Sequence, residues 1–290
     1  MTQAGIQHQV RGGGDDAVVD SEPVVRLRAQ RFHAVTEDRC VELMTGADAS
    51  MSGGWVVTAN LDHLRRMVRH RCYGELCSAA TLVVADGMPL VWAARIQGTP
   101  LPERVAGSNL IWSLSAAAAS RGKSVFLLGG APGTARAAAN VLTERYPALR
   151  VAGTHCPPVG FEHDSQQMAE LTEALRQAEP DTVYVALGSP KQERLIAQLR
   201  QVLPGAWWMG VGISFSFLCG DVKRAPRWMQ RLGLEWVHRL AQEPRRLARR
   251  YLVDDLPFAM RLLGGAAVRR LRRTPEPSAE TTKTTSPARE

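Results

Sequence analysis

The chain has 290 residues, 45% of them hydrophobic, and a formal net charge of +8, enough apolar material for one large core or two modest ones. No run of about 18 apolar residues occurs, which excludes an ordinary bilayer-spanning helix. The five cysteines, Cys40, Cys72, Cys77, Cys156 and Cys219, are odd in number and scattered without CxxC spacing, which fits a reducing, cytoplasmic setting better than a disulfide framework.

Residues 1–24 include "RGGGDDAVVDSEP"; they lack the apolar stretch of a signal peptide and read as disordered. From residue 25, apolar strands alternate with helical patterns. "GGWVVTAN" predicts a strand and turn, with a helix through "LDHLRRMVRHR". "TLVVADG" predicts a buried strand running out into a turn, with a helix around "MPLVWAARIQG". "KSVFLLGGAPG" is a strand and glycine turn before the Ala-rich helix "TARAAANVLTERY". "RVAGTH", the helical "SQQMAELTEALRQA", "DTVYVALGSPKQE" with a helix to about Val202, and "GAWWMGVG" complete the series. Strands alternating with helices of roughly 10 to 15 residues predict an α/β fold, Rossmann-like, with a mostly parallel sheet and helices on both faces. We therefore divide the chain into an α/β core over 25–222, a basic helical appendage over 223–273 and a disordered tail over 274–290.

In a parallel sheet the strand ends fall along one edge, where ligands bind. Here those ends hold Thr58 and Asn60, Asp86 and Gly87, Gly129 and Gly130, Gly188 to Gln192, and Gly210 to Gly212. A carboxylate at the mouth of a buried strand, Asp86, is either a cap for the helix starting near Met88 or a reactive group. The glycine turns can bring backbone N–H groups close to a phosphate. "GGAPGTA" is not GxGxxG and "RVAGTHCPP" lacks the acidic residue of a dinucleotide site, which disfavours NAD; GxxxxGK[ST] is absent. "HCPPVGFEHD" gathers His155, Cys156, Glu162, His163 and Asp164 in spacings that match no standard zinc pattern, so no metal is expected.

The positive charge is concentrated. Residues 223–273 hold fourteen Lys and Arg against four carboxylates. Such a block suits nucleic acid, an anionic membrane surface or a phosphorylated substrate. The competing classes are a nucleic-acid-binding protein and a non-enzymatic membrane scaffold; sparse aromatic interleaving and the lack of a nucleic-acid-binding signature count against the first.

"VVTANLDHL", "ADGMPLVWAARIQGTPLPERVAGSNL", "VFLLGGAPG", "VYVALGSPKQERL" and "GVGISFSFLCGDVKRAPRWMQRLGLEWVHRLAQEPRRLARRY" together resemble the WecG/TagA/CpsF glycosyltransferase family over roughly residues 25–263. The resemblance implies inverting transfer of a sugar (N-acetylmannosamine, its uronic acid or glucose) from a UDP-sugar to a polyprenyl-diphosphate-linked saccharide at the inner face of the cell membrane. It implies a peripheral enzyme without metal or cofactor, with no nucleic-acid partner, and leaves room for a homo-oligomer. Asp86 matches the family's presumed base, and an inverting transfer needs one carboxylate to accept the acceptor hydroxyl's proton.

By the same resemblance Thr58 hydrogen-bonds donor or acceptor, and Arg104 stabilises the leaving diphosphate. Asn60, Gly129, Gly130, Gly188, Lys191 and Gln192 line the substrate. Arg239, Arg246 and Arg249 match C-terminal arginines that close over the site; their spacings of seven and three share one broad face if the helix continues through Pro244. Two departures stand out. Ser216 occupies a place in "GVGISFSFLCG" where an Asp is common, within the presumed donor pocket. Met88 and Pro89 stand directly after the "ADG" motif, where a glycine is common.

Overall fold

A computed structural model describes residues 16–46 and 53–272. Of the expected N-terminal disorder, residues 1–15 lie outside this range, as does the tail over 274–290. Asp16–Asp20, by contrast, forms a short helix that buries Val19, because Val19, with Val18 beside it, packs onto the core. A hairpin of β1 (Val24–Leu27) and β2 (Gln30–His33) follows, an element the alternation rule does not anticipate.

The main sheet has six parallel strands: β3 (Gly54–Ala59), β4 (Leu82–Ala85), β5 (Ser124–Gly129), β6 (Arg150–His155), β7 (Thr182–Ala186) and β8 (Trp207–Gly210). Their order is β4-β3-β8-β7-β5-β6. β4, β5 and β7 are buried at every position, as strands covered on both faces must be. Alternate side chains feed two cores. Trp55, Val57, Val83, Val183 and Trp208 point into one, and Val56, Leu82, Val84, Tyr184 and Met209 into the other.

This topology positions the site. The connection from β5 leads outward to β6, whereas that from β7 leads the other way, to β8. The crevice between the C-terminal ends of β5 and β7 is therefore a topological switch point, where open α/β sheets bind ligands. Asp86 lies beyond the edge strand β4, three to four strands away, or about 14–19 Å at the usual strand spacing.

The basic C-terminal segment is helical: Arg227–Arg231, Glu235–Gln242, Pro244–Ala248, a π-helical stretch Arg249–Asp255, and Leu256–Arg272. It is not merely appended. Phe258, Leu262 and Ala266 join the same core as Trp55 and Leu90, and the last helix packs along the helix Met88–Ile96.

Candidate active site

Asp86 is held by backbone geometry. Its N–H donates to the Ala59 carbonyl at 2.9 Å, extending the β3–β4 ladder by one residue, and Val105 N–H donates to the Ala85 carbonyl at 3.0 Å. The N-cap of the helix Met88–Ile96 is Gly87, and no side chain caps it. Asp86 is thus free of the capping role. Its Oδ2 instead accepts from Gly107 N–H at 3.3 Å, at the start of the helix Gly107–Ser120, an end that favours negative charge.

Burial dominates nonetheless and pushes the Asp86 carboxyl up to about 6. Arg104 opposes this, Glu235 reinforces it, and the Gly107 bond and His63 oppose it. A carboxyl so placed is ionised at neutral pH yet basic enough to accept a proton. Gly107 has a second use: a Cβ there would come within 2.8 Å of Thr58 Oγ1, so its bareness lets Thr58 and Asp86 share the corner.

Arg104 is beside Asp86 but not free. Its Nη1 lies 3.0 Å from Glu235 Oε2, and Arg224 Nε lies 3.4 Å from Glu235 Oε1. Arg224 Nη2 and Arg239 Nε are buried without a hydrogen-bond partner, and Arg239 stands one turn beyond Glu235 on the same helix face. Arg246 and Arg249 are exposed. Arg246 pairs with Glu243 at 2.5 Å, and the helix is interrupted at Glu243 before Pro244. The expected common face for Arg239, Arg246 and Arg249 is therefore not formed, because proline supplies no N–H to continue the preceding helix.

Asn60 and Gln192 direct their polar atoms inward. Asn60 caps the helix Leu61–Arg69 by accepting from His63 N–H at 3.1 Å. Gln192 Oε1 accepts from Gly212 N–H at 3.1 Å, and its Nε2 donates to Glu193 at 2.9 Å. Burial pushes the Glu193 carboxyl up, but bonds from His63, Gln192 and Ser189 outweigh it and hold it below its ordinary range. His63 Nε2 lies 3.5 Å from Glu193, so a chain of polar contacts runs from the β8 turn to the neighbourhood of Asp86.

At the switch point, Gly129 and Gly130 have φ +94° and +83°, and a Cβ on Gly129 would meet the Ala186 carbonyl at 2.8 Å. Only glycine meets both demands at Gly129. The turn leads to the N-terminus of the helix Thr134–Arg145. Gly188, at φ +71°, follows the end of the neighbouring strand β7, with nothing within 4 Å of the place a Cβ would take.

Lys191 Nζ pairs with Glu162 at 2.5 Å, and Cys156 donates to the Gly130 carbonyl at 3.4 Å. The "HCPPVGFEHD" segment therefore touches the glycine turn through Cys156, and no group of three His, Cys, Asp or Glu side chains among the described residues is placed to hold a metal. Ser216 lies in the short helix Ser214–Cys219, whose Phe215 approaches Gly130.

Thr58, Asp86, Gly107, Arg104, Glu235 and Arg224 thus form one cluster, and Gly129, Gly130, Gly188, Lys191 and the Ser216 helix a second. Gly107, His63, Glu193, Arg224 and Glu235 are residues of the candidate site that the sequence pattern did not single out. "VAGSNL" carries a visible signal for Gly107; the others gain meaning only from long-range contacts.

The model of the glycosyl transferase WecG/TagA/CpsF family matches residues 25–273. The chain belongs to that family. Two curated relatives carry the name N-acetylglucosaminyldiphosphoundecaprenol N-acetyl-beta-D-mannosaminyltransferase. The Bacillus subtilis (strain 168) protein is 32% identical over 197 residues, 68% of this chain and 75% of the relative. The Bacillus spizizenii (strain W23) protein is 34% identical over 197 residues, 68% and 74% of the two chains. As a WecG/TagA/CpsF member the protein is a sugar-transferring enzyme.

Proposed function

We propose that the protein transfers an N-acetylmannosaminyl group, with inversion, from a UDP-sugar to a polyprenyl-diphosphate-linked N-acetylglucosamine. The observation that carries this reading is the corner at Asp86: a desolvated carboxylate beside a set of arginines whose N–H groups are incompletely used. Asp86 accepts the proton of the attacking hydroxyl while its oxygen bonds to the anomeric carbon. The bond to the UDP oxygen breaks, and Arg104, Arg224 and Arg239 stabilise the charge developing there. Glu235, which occupies Arg104 and Arg224 in this state, gives way to the diphosphate.

The glycine turns at the switch point hold the nucleotide end, so the donor extends across the strand ends toward Asp86. Asn60 and Gln192 position backbone rather than substrate. Thr58 contacts the acceptor, and Ser216 reads the donor: a hydroxyl both donates and accepts, whereas a carboxylate only accepts.

The acceptor's lipid places the enzyme at the inner face of a membrane. No helix among the described residues is long and apolar enough to cross one. Contact is instead through the basic segment, where Trp228, Leu232 and Met260 are 59%, 58% and 66% exposed amid arginines, a pattern that suits an anionic interface.

The test is a donor screen against a short-chain prenyl diphosphate bearing N-acetylglucosamine, read by UDP release. Release with UDP-N-acetylmannosamine that depends on the acceptor supports the reading. Acceptor-independent release, or none with any UDP-sugar, contradicts it.

A further inference from the structure

A second basic feature lies away from the active site. The helix Met88–Ile96 starts beside Asp86 and runs about 13 Å at 1.5 Å per residue. At its other end a cleft of about 740 Å³ opens between the β1–β2 hairpin and the end of the helix Leu256–Arg272. Arg26 and Arg31 line it from the hairpin, and Arg269 and Arg272 from the helix. Arg26 and Arg31 are directly opposed in the antiparallel register, and Arg269 and Arg272 are one turn apart.

Like charges so placed repel across strands and along helices. Compensation is slight. Asp20 lies 4.0 Å from Arg31, and among the described residues no carboxylate pairs with Arg26, Arg269 or Arg272. The cleft is held in shape from below: buried Gln97 donates to the Arg26 carbonyl at 3.0 Å and to Thr99 at 2.6 Å.

We propose that this cleft binds a phosphoryl anion. Four guanidinium groups from two elements supply the planar, multidentate donors that phosphate oxygens take, and a bound anion relieves their repulsion. Val24, which also lines the cleft, is exposed beside these cations. The site is separate from the transfer chemistry, so its loss leaves turnover on a water-soluble acceptor intact.

The test uses the full chain, a double variant Arg26→Gln/Arg31→Gln, and a control Arg150→Gln/Arg176→Gln, which removes the same charge elsewhere. Affinity is measured for phosphatidylcholine vesicles with and without phosphatidylglycerol, and thermal stability in inorganic phosphate against chloride of equal ionic strength. The cleft variant should bind anionic vesicles about thirtyfold more weakly, from roughly 1 kcal/mol per cation, with the control near wild type. Phosphate-specific stabilisation of the wild type, lost in the variant, assigns a soluble ligand; a vesicle effect alone assigns the lipid headgroup. Arg269→Gln, on the opposite wall, repeats the test should the hairpin variant fold poorly. Equal loss of vesicle affinity in variant and control, without phosphate-specific stabilisation, overturns the proposal.

Discussion

Asp86 shows how a buried carboxyl opposes stability. Its carboxyl is raised from 3.8 to about 6, so the folded state binds the proton more tightly than the unfolded chain does. Stability from this group is then full at low pH and declines as pH rises from about 4 through 6. Asp86→Asn retains an acceptor for Gly107 and removes the buried charge. It should therefore be more stable than wild type at neutral pH by about 1–2 kcal/mol, discounted for partial exposure, with the advantage vanishing near pH 4. Thermal unfolding of both proteins across this range checks it; a constant difference would place Asp86 in water. Glu235 gives a second test at this scale. Its charge raises Asp86, so Glu235→Gln should move the acid limb of the pH–rate profile to lower pH. An unmoved limb would mean that the two carboxylates do not interact. Asp86 was legible in the sequence because "VVADG" is local, a buried strand ending in a turn. Glu235 was not, since its meaning comes from Arg104, 131 residues away.

Among the elements, the helix Leu61–Arg69 and the stretch Arg249–Asp255 are joined by buried charge. Asp62 lies 2.5, 3.0 and 3.0 Å from Arg65, Arg66 and Arg250, and Asp255 lies 2.9 Å from Arg65. Burial raises the Asp62 carboxyl, but Arg250, Arg66 and Arg65 outweigh it and hold it below its ordinary value. Asp255 has fewer such bonds, and burial with the neighbouring Asp62 charge raises it. Asp62 therefore contributes stability above its ordinary pKa of about 4, lost as pH falls through its lower folded value. Asp62→Ala should cost about 3 kcal/mol at neutral pH, the lower end for breaking a buried pair because Arg66 and Arg250 retain some solvent. Denaturant unfolding decides; a cost under about 0.5 kcal/mol, typical of surface changes, would show that this clamp is not structural. The strands of the main sheet were readable as apolar runs bounded by glycine. The β1–β2 hairpin was not, because its turn is Arg28-Ala29, both at positive φ, without the glycine or asparagine that marks such turns.

For the whole molecule, the charge asymmetry sets the C-terminal segment apart in sequence, but charge says nothing of what its apolar residues bury. Phe258, Leu262 and Ala266 are core members, so a chain ending at Asp255 should lose stability and solubility by uncovering the helix Met88–Ile96. A soluble, fully stable product would make the segment an appendage after all. The parallel order and the edge that gathers Asp86 with the glycine turns followed from strand and helix alternation. The switch point between β5 and β7 did not, because strand order is a property of contacts. Sugar transfer at this edge with Asp86 as base stands or falls on UDP release by Asp86→Asn beside wild type, at saturating donor and prenyl-diphosphate acceptor. Turnover of the variant should be at least about a hundredfold lower, the lower range for a general base, with the substrate KM values little changed; near-normal turnover in the folded variant would refute Asp86 as the base.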